Sequence, residues 1–256
     1  MYHYYNQTRN IGLIVLKILG ISSSPSYKGN TATLVREALK GAEEMDAEVE
    51  EIHLPKYDLN YCIGCRSCHA RGKCVHDDGF NEIMEKMREA DGIILGSPVY
   101  LWEYNGYMKN FFDRAAFYSL YCSLFAEKYF AGISTAGGAG HRRIARRLVG
   151  LGPNGFLNGI AHGAFKRSYV TGIVAKGLWK GRVDEHYPKT MNKAYKLGKK
   201  MVKAIEKGKT YPFQNLLGRL MIVLFARRLK KKWILARKDK ECKALYRDLK
   251  AKGFVK

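Results

Sequence analysis

Four of the six cysteines in this 256-residue chain fall within thirteen positions, at Cys62, Cys65, Cys68 and Cys74, spaced C-x2-C-x2-C-x5-C. Thiols at that density suit an iron–sulfur cluster, a tetrahedral zinc site or a set of disulfides. Six cysteines at this length do not make a disulfide-rich secreted scaffold, so the clustering points to metal ligation in a reducing compartment. Cys122 and Cys242 stand alone and read as packing residues.

Three other stretches carry unusual chemistry. The first, residues 22–31, is rich in hydroxyls: Ser24, Ser26 and Thr31, with Lys28 and Asn30 among them. It fits neither the dinucleotide fingerprint nor the P-loop pattern. Its hydroxyls, the Asn30 amide and backbone N–H groups converge just before a helix, the geometry for a terminal phosphate. The ordinary alternative is a Ser/Asn helix cap. The second stretch, Ser97-Pro98-Val99-Tyr100-Leu101-Trp102, is apolar and aromatic where loops are usually polar, and offers a wall for a flat ring; capping the core or forming a subunit contact is its alternative. The third, Ser134-Thr135-Ala136-Gly137-Gly138, lets a backbone come close to the same ligand. A phosphate on one loop and a planar ring between two others together describe flavin mononucleotide.

The elements that must position these loops follow a repeating strand–loop–helix pattern. Short apolar runs predict buried strands over 16–22, 48–54, 92–97, 129–134 and 168–175. Amphipathic periodicity predicts helices over 31–47, 80–90, 108–120, 141–150 and 190–207. Such repetition implies an α/β fold with a parallel sheet covered on both faces. All three unusual loops follow strands, at the edge where open α/β sheets bind ligands.

The net charge of +22 is unevenly placed: residues 1–110 hold 12 basic and 15 acidic side chains, whereas residues 111–256 hold 33 and 8. That asymmetry suits either an anionic partner or a merely solvated basic face. The apolar stretch 11–21 is interrupted by Lys17 and lacks a small-residue cleavage site, so it reads as a strand rather than a secretory signal. No apolar run reaches the ~18–20 residues of a membrane span. A cytoplasmic location is expected.

In order, the chain shows Ser-Pro-x-x-x-Gly-Asn-Thr, the cysteine motif followed by Asp-Asp, then Gly-Ser-Pro-Val-Tyr, then Asp-Arg. This series resembles the iron–sulfur flavoproteins of archaea and anaerobic bacteria, within the flavodoxin-like NAD(P)H-dependent FMN reductases. The resemblance covers residues 16–207, and the tail more loosely. It implies a flavodoxin-like, doubly wound five-stranded sheet of order 2-1-3-4-5 over residues 16–210, after an N-terminal extension at 1–15. It also implies FMN at the sheet's carboxyl edge and homo-dimers or homo-tetramers. By position, Ser24, Ser26, Asn30 and Thr31 would hold the phosphate. Pro98, Val99, Tyr100, Leu101, Trp102 and Asn105 would flank the ring, and Ser134, Thr135, Gly137 and Gly138 would complete the pocket. Relatives often carry Arg where Ser26 stands, and Lys28 is the candidate for the missing charge.

For the cysteines, the compact C-x2-C-x2-C run is ferredoxin-type, whereas zinc sites usually separate two pairs. Cys74 is five residues on and followed by Val75, which frees it to close the same cluster. The expectation is a [4Fe–4S] cluster on Cys62, Cys65, Cys68 and Cys74, with zinc or no metal as alternatives. His69 and His76 either tune that centre by hydrogen bonds or face solvent. Together the groups describe an oxidoreductase passing electrons from ferredoxin or NAD(P)H through FMN to an unidentified acceptor. A cluster-free FMN or quinone reductase is one alternative; another is a redox-sensing module engaging nucleic acid or membrane through its basic half, disfavoured by the lack of a nucleic-acid motif. No acid–base residue is assigned, and Glu103 and Tyr104 lie where they could touch the ring. Residues 211–256 form a basic helical extension, with an apolar run at 216–226 that either packs on a neighbouring subunit or lies at an anionic membrane surface through 214–238.

Overall fold

The computed structural model describes residues 15–120, 127–151, 169–211, 227–238, 241–251 and 253. The expectations for residues 1–14, Cys122 and the apolar run at 216–226 lie outside them. Strands β1 (Lys17–Ser22), β2 (Glu48–His53), β3 (Gly92–Tyr100), β5 (Tyr129–Ala136) and β6 (Tyr169–Gly177) form a parallel sheet ordered β2-β1-β3-β5-β6. A two-residue strand, β4 (Glu103–Tyr104), pairs antiparallel with the end of β3 and lies off this path. Among the five long strands the order is 2-1-3-4-5, which defines the flavodoxin-like arrangement.

Alternation along the strands feeds two cores. On one face, α1 (Asn30–Glu43) and α7 (Pro188–Glu206) bury Leu34, Val35, Ala38, Leu197, Met201 and Val202 against Ile18, Ile94, Ala131 and Ile133. Gly41 and Gly198 let these two helices touch: a Cβ on either would fall on the other helix's backbone. On the other face, α3 (Phe80–Glu89), α4 (Gly106–Leu120) and α5 (His141–Leu148) pack Phe80, Met87, Met108, Phe111 and Ile144 against Leu19, Ile21, Ile93 and Phe130.

Among the described residues the remaining α-helices are a single turn in the cysteine stretch, α2 (Ser67–Arg71), the short α6 (Val183–His186), and the tail helices α8 (Arg227–Leu235) and α9 (Lys243–Ala251). The tail does not stand apart. Ile234, Cys242, Leu245 and Leu249 are fully buried in the second core, against which Cys68 and Cys74 also pack. Among the described residues no helix is long and apolar enough to cross a membrane.

The second unusual loop differs from its expected form. β3 continues through Pro98 to Tyr100 and turns back at Leu101 and Trp102 into β4, so this stretch is a tight hairpin. Both turn residues have positive φ, 45° and 62°. That is the backbone of a two-residue hairpin turn, which Asn-Gly or Gly-Gly usually occupies.

Candidate functional site

The three loops come together at the carboxyl edge of the sheet. Asn105 joins the first two: its Nδ2 donates to the Ser23 carbonyl at 2.5 Å, and its backbone N–H donates to Ser97 Oγ at 3.2 Å. Its Oδ1 accepts from Met108 N–H at 3.3 Å, in the first turn of α4. Asn105 is buried and ties the loops from behind. The first and third loops meet through the hydroxyls of Thr31 and Thr135, 2.7 Å apart. The second and third meet where the Trp102 ring and Val99 lie against Gly140, whose φ of 86° also keeps that position free of a side chain.

The first loop leaves its helix open. The N-cap of α1 is Gly29, and no side chain caps the helix, so the Ser/Asn cap is not what these hydroxyls form. The N–H groups of a first helical turn have no intrahelical acceptor and bear partial positive charge. Ser24 and Thr31 are buried beside them, while Ser26 and Lys28 are exposed. The Asn30 amide turns elsewhere: it accepts from Val183 N–H at 2.9 Å and donates to the Gly181 carbonyl at 3.4 Å.

In the second loop, Tyr100, Leu101 and Trp102 are exposed, Leu101 almost completely at 96%. Glu103 and Tyr104 are engaged within the chain. Glu103 is ion-paired with Arg147, and the Tyr104 ring is buried edge-on to Phe112 at 5.2 Å. In the third loop, Ser134 Oγ is buried and has no hydrogen-bond partner, and the space beside Gly137 is open. Alternation along β5 turns Ser134 to the α5 face and Thr135 to the α1 face, so Thr135 and the open backbone at Gly137 adjoin the uncapped helix, an arrangement that fits an anionic, ring-bearing ligand.

The cysteine stretch lies after β2. Cys62 and Cys65 are exposed, Cys68 and Cys74 half-buried. Positive φ at Gly64 and Arg66 turns the chain into α2, and Gly72 ends it. Arg114 of α4 reaches Cys74 Sγ with Nη2 at 3.2 Å while holding Asp78. Asn81 brackets Cys74 from α3, accepting from its N–H at 2.8 Å and donating to its carbonyl at 3.1 Å. The Cys68 thiol is pushed up to about 11, first by burial and then by the charge of Cys74, with smaller effects from Cys62 and Cys65. Cys68 is thus near enough to feel the other three thiols. Among the described residues, no three His, Cys, Asp or Glu side chains converge on a single-ion position.

The tail covers this stretch. Arg66 pairs with Glu241 at 3.1 Å, the His69 ring meets Trp233 edge-on at 5.7 Å, and Gly72 faces Ala244. Burial pushes the His69 imidazole down. Reasoning from sequence misses Arg114, Asp78, Asn81 and these tail contacts. The Asp-Asp and Asp-Arg pairs are visible in it, but nothing local shows that they meet.

A sequence model of the NADPH-dependent FMN reductase family matches residues 16–157. An iron-sulfur flavoprotein of Archaeoglobus fulgidus is 33% identical over 193 residues, 75% of this chain and 81% of the relative. Another, from Methanocaldococcus jannaschii, is 50% identical over 100 residues, 39% of this chain and 52% of the relative, so the chain spans about half the length of that protein. Among solved structures, a flavone reductase superposes with a TM-score of 0.56 at 20% identity, covering 75% of this chain and 63% of that one. An NAD(P)H:quinone oxidoreductase from Methanothermobacter marburgensis gives 0.52 at 14%, covering 73% and 96%. These two show the shared fold alone. The chain belongs to the iron-sulfur flavoproteins of the NADPH-dependent FMN reductase family, a class of flavin-dependent oxidoreductases.

Proposed function

We propose that this chain is an electron-transfer oxidoreductase that binds FMN at the carboxyl edge of the sheet and a [4Fe–4S] cluster on Cys62, Cys65, Cys68 and Cys74. The observation that carries the flavin half is the uncapped N-terminus of α1, joined to the third loop through Thr31 and Thr135. Ser24, Ser26, Thr31 and the N–H groups of α1 take the phosphate. Pro98 through Trp102 flank the ring, and Ser134, Thr135, Gly137 and Gly138 close the pocket. Asn30 and Asn105 serve by holding loops, since their amides are already engaged.

The cluster half is supported by the donor set and by the shared name of the relatives. Cys68 lies within electrostatic reach of the other three thiols, which oppose its ionisation, and a cationic metal centre removes that opposition. A four-iron cluster is also wider than one ion, so its thiolates stand further apart than single-ion ligands. Arg114 donates to Cys74 Sγ and offsets part of the negative charge of a ligated loop. When bound, FMN exchanges two electrons as hydride or one at a time, and a cluster exchanges one. The aromatic hairpin shields the ring from water, and no side chain is assigned a proton-transfer step. NAD(P)H or ferredoxin is the donor in this reading, and the working form is a homo-dimer or homo-tetramer.

Anaerobic purification with flavin, iron and sulfide quantified per chain tests both halves. The expected result is one FMN, four irons and a broad band at ~400 nm. FMN without iron would leave a cluster-free FMN or quinone reductase, and absence of flavin would overturn the reading altogether.

A further inference from the structure

We infer that Arg182, on the loop after β6, supplies the positive charge for the flavin phosphate that loop 22–31 does not itself provide; this rests on the FMN reading above. A phosphate monoester carries between one and two negative charges near neutral pH. Hydroxyls and helix N–H groups solvate such a charge without neutralising it. Within residues 22–31 the only cationic side chain is Lys28, which is exposed.

Arg182 arrives at this loop from 154 positions away, and its Nη1 donates to the Lys28 carbonyl at 3.1 Å. Its backbone is fixed there by the residue that opens α1. Asn30 accepts from Val183 N–H and donates to the Gly181 carbonyl, so one side chain at the phosphate end of the helix brackets residue 182 on both sides. Asp184, at 2.6 Å from Nη2, and Glu185, at 3.2 Å from Nε, orient the guanidinium. These pairs are solvent-exposed and therefore weak. Nη1 can keep the Lys28 carbonyl while Nη2 and Nε exchange the exposed carboxylates of Asp184 and Glu185, which otherwise cancel the guanidinium charge, for phosphate oxygens. Asn30 then acts as a positioning residue for Arg182, which explains why the amide faces Gly181 and Val183 instead of the loop hydroxyls.

The test compares FMN with riboflavin, which has the same ring and no phosphate. Deflavinated full-length protein is titrated with each, following flavin fluorescence, for wild type, Arg182→Ala, Arg182→Lys and Lys28→Ala. Arg182→Ala is expected to weaken FMN about tenfold or more, the size of one charge-assisted hydrogen bond, and to leave riboflavin within about twofold. Arg182→Lys should recover part of the loss, and added salt should narrow the gap. FMN affinity unchanged in Arg182→Ala, equal losses for both flavins, or a phosphate-specific loss in Lys28→Ala alone would overturn the assignment to Arg182. Wild-type protein binding neither flavin would overturn the FMN reading itself, and this inference with it.

Discussion

Arg114 and Asp78 form a two-pronged ion pair beneath the cysteine stretch, Nη1–Oδ2 at 2.6 Å and Nη2–Oδ1 at 2.9 Å. Their side chains are only 1% and 6% exposed. The guanidinium also stacks 4.1 Å over the Phe80 ring and donates to the Asn60 carbonyl and Cys74 Sγ. One cation therefore joins α4, the start of α3 and both ends of the cysteine stretch. Removing one partner leaves a buried charge unpaired, which costs about 3–5 kcal/mol. Asp78→Asn should lose about 3 kcal/mol by denaturant unfolding, whereas the apolar pair Arg114→Met with Asp78→Leu should recover much of it. A single variant as stable as wild type would show that the pair does not hold the fold.

The same pair sets a pH dependence. Burial opposes the Asp78 charge, but hydrogen bonds from Arg114 and Asn60 outweigh it and hold the carboxyl well below the usual range. A carboxyl depressed in the folded state contributes stability that is present above its unfolded value, ~3.9, and lost as pH falls below that toward the folded value. The gap in melting temperature between wild type and Asp78→Asn should thus be full at pH 7 and shrink below about pH 4. A gap that stays constant to pH 2 would contradict this.

The five long strands and their loops are legible in the sequence because each lies in a local pattern: an apolar run, a hydroxyl-rich or glycine-rich loop, then an amphipathic helix. The hairpin at Leu101 and Trp102 is not, because neither residue belongs to the usual turn set, and the positive φ values are imposed by the pairing of β4 with β3. Loop 22–31 reads as a set of donors with Asn30 among them. The use of that amide on Gly181 and Val183 depends on partners some 150 positions distant. The tail's packing on the cysteines is hidden in the same way, since Arg66 and Glu241 are 175 positions apart.

The tail's packing yields a third expectation. Arg66–Glu241 is exposed, so Glu241→Gln should change stability by less than about 1 kcal/mol. Leu245 is fully buried in the core against which Cys68 and Cys74 also pack, and truncating it to Ala should cost about 2–5 kcal/mol. With α9 loosened, Cys68 becomes more accessible. The metal-free Leu245→Ala protein should react several-fold faster with a thiol reagent such as Ellman's, with Glu241→Gln near wild type. Equal rates for all three proteins would mean that the tail does not shelter the cysteine stretch.

The strained hairpin gives the last expectation. Two non-glycine residues at positive φ cost of order 1–3 kcal/mol each, and they hold Trp102 against Gly140 of the third loop. Replacing Leu101-Trp102 with Asn-Gly suits the turn backbone and should relieve much of that strain. The replacement also removes the indole that joins two of the three loops and two of the exposed apolar side chains offered to a ring. Stability should therefore rise by about 1–2 kcal/mol, while FMN and riboflavin affinity fall together, because in the proposed site these side chains serve the ring that both flavins share and not the phosphate. Denaturant unfolding and flavin titration on the same protein separate the two effects. A variant that gains stability with flavin affinity intact would show that the hairpin tip does not serve the ring, and one that loses both would show that Trp102 is chiefly a packing residue.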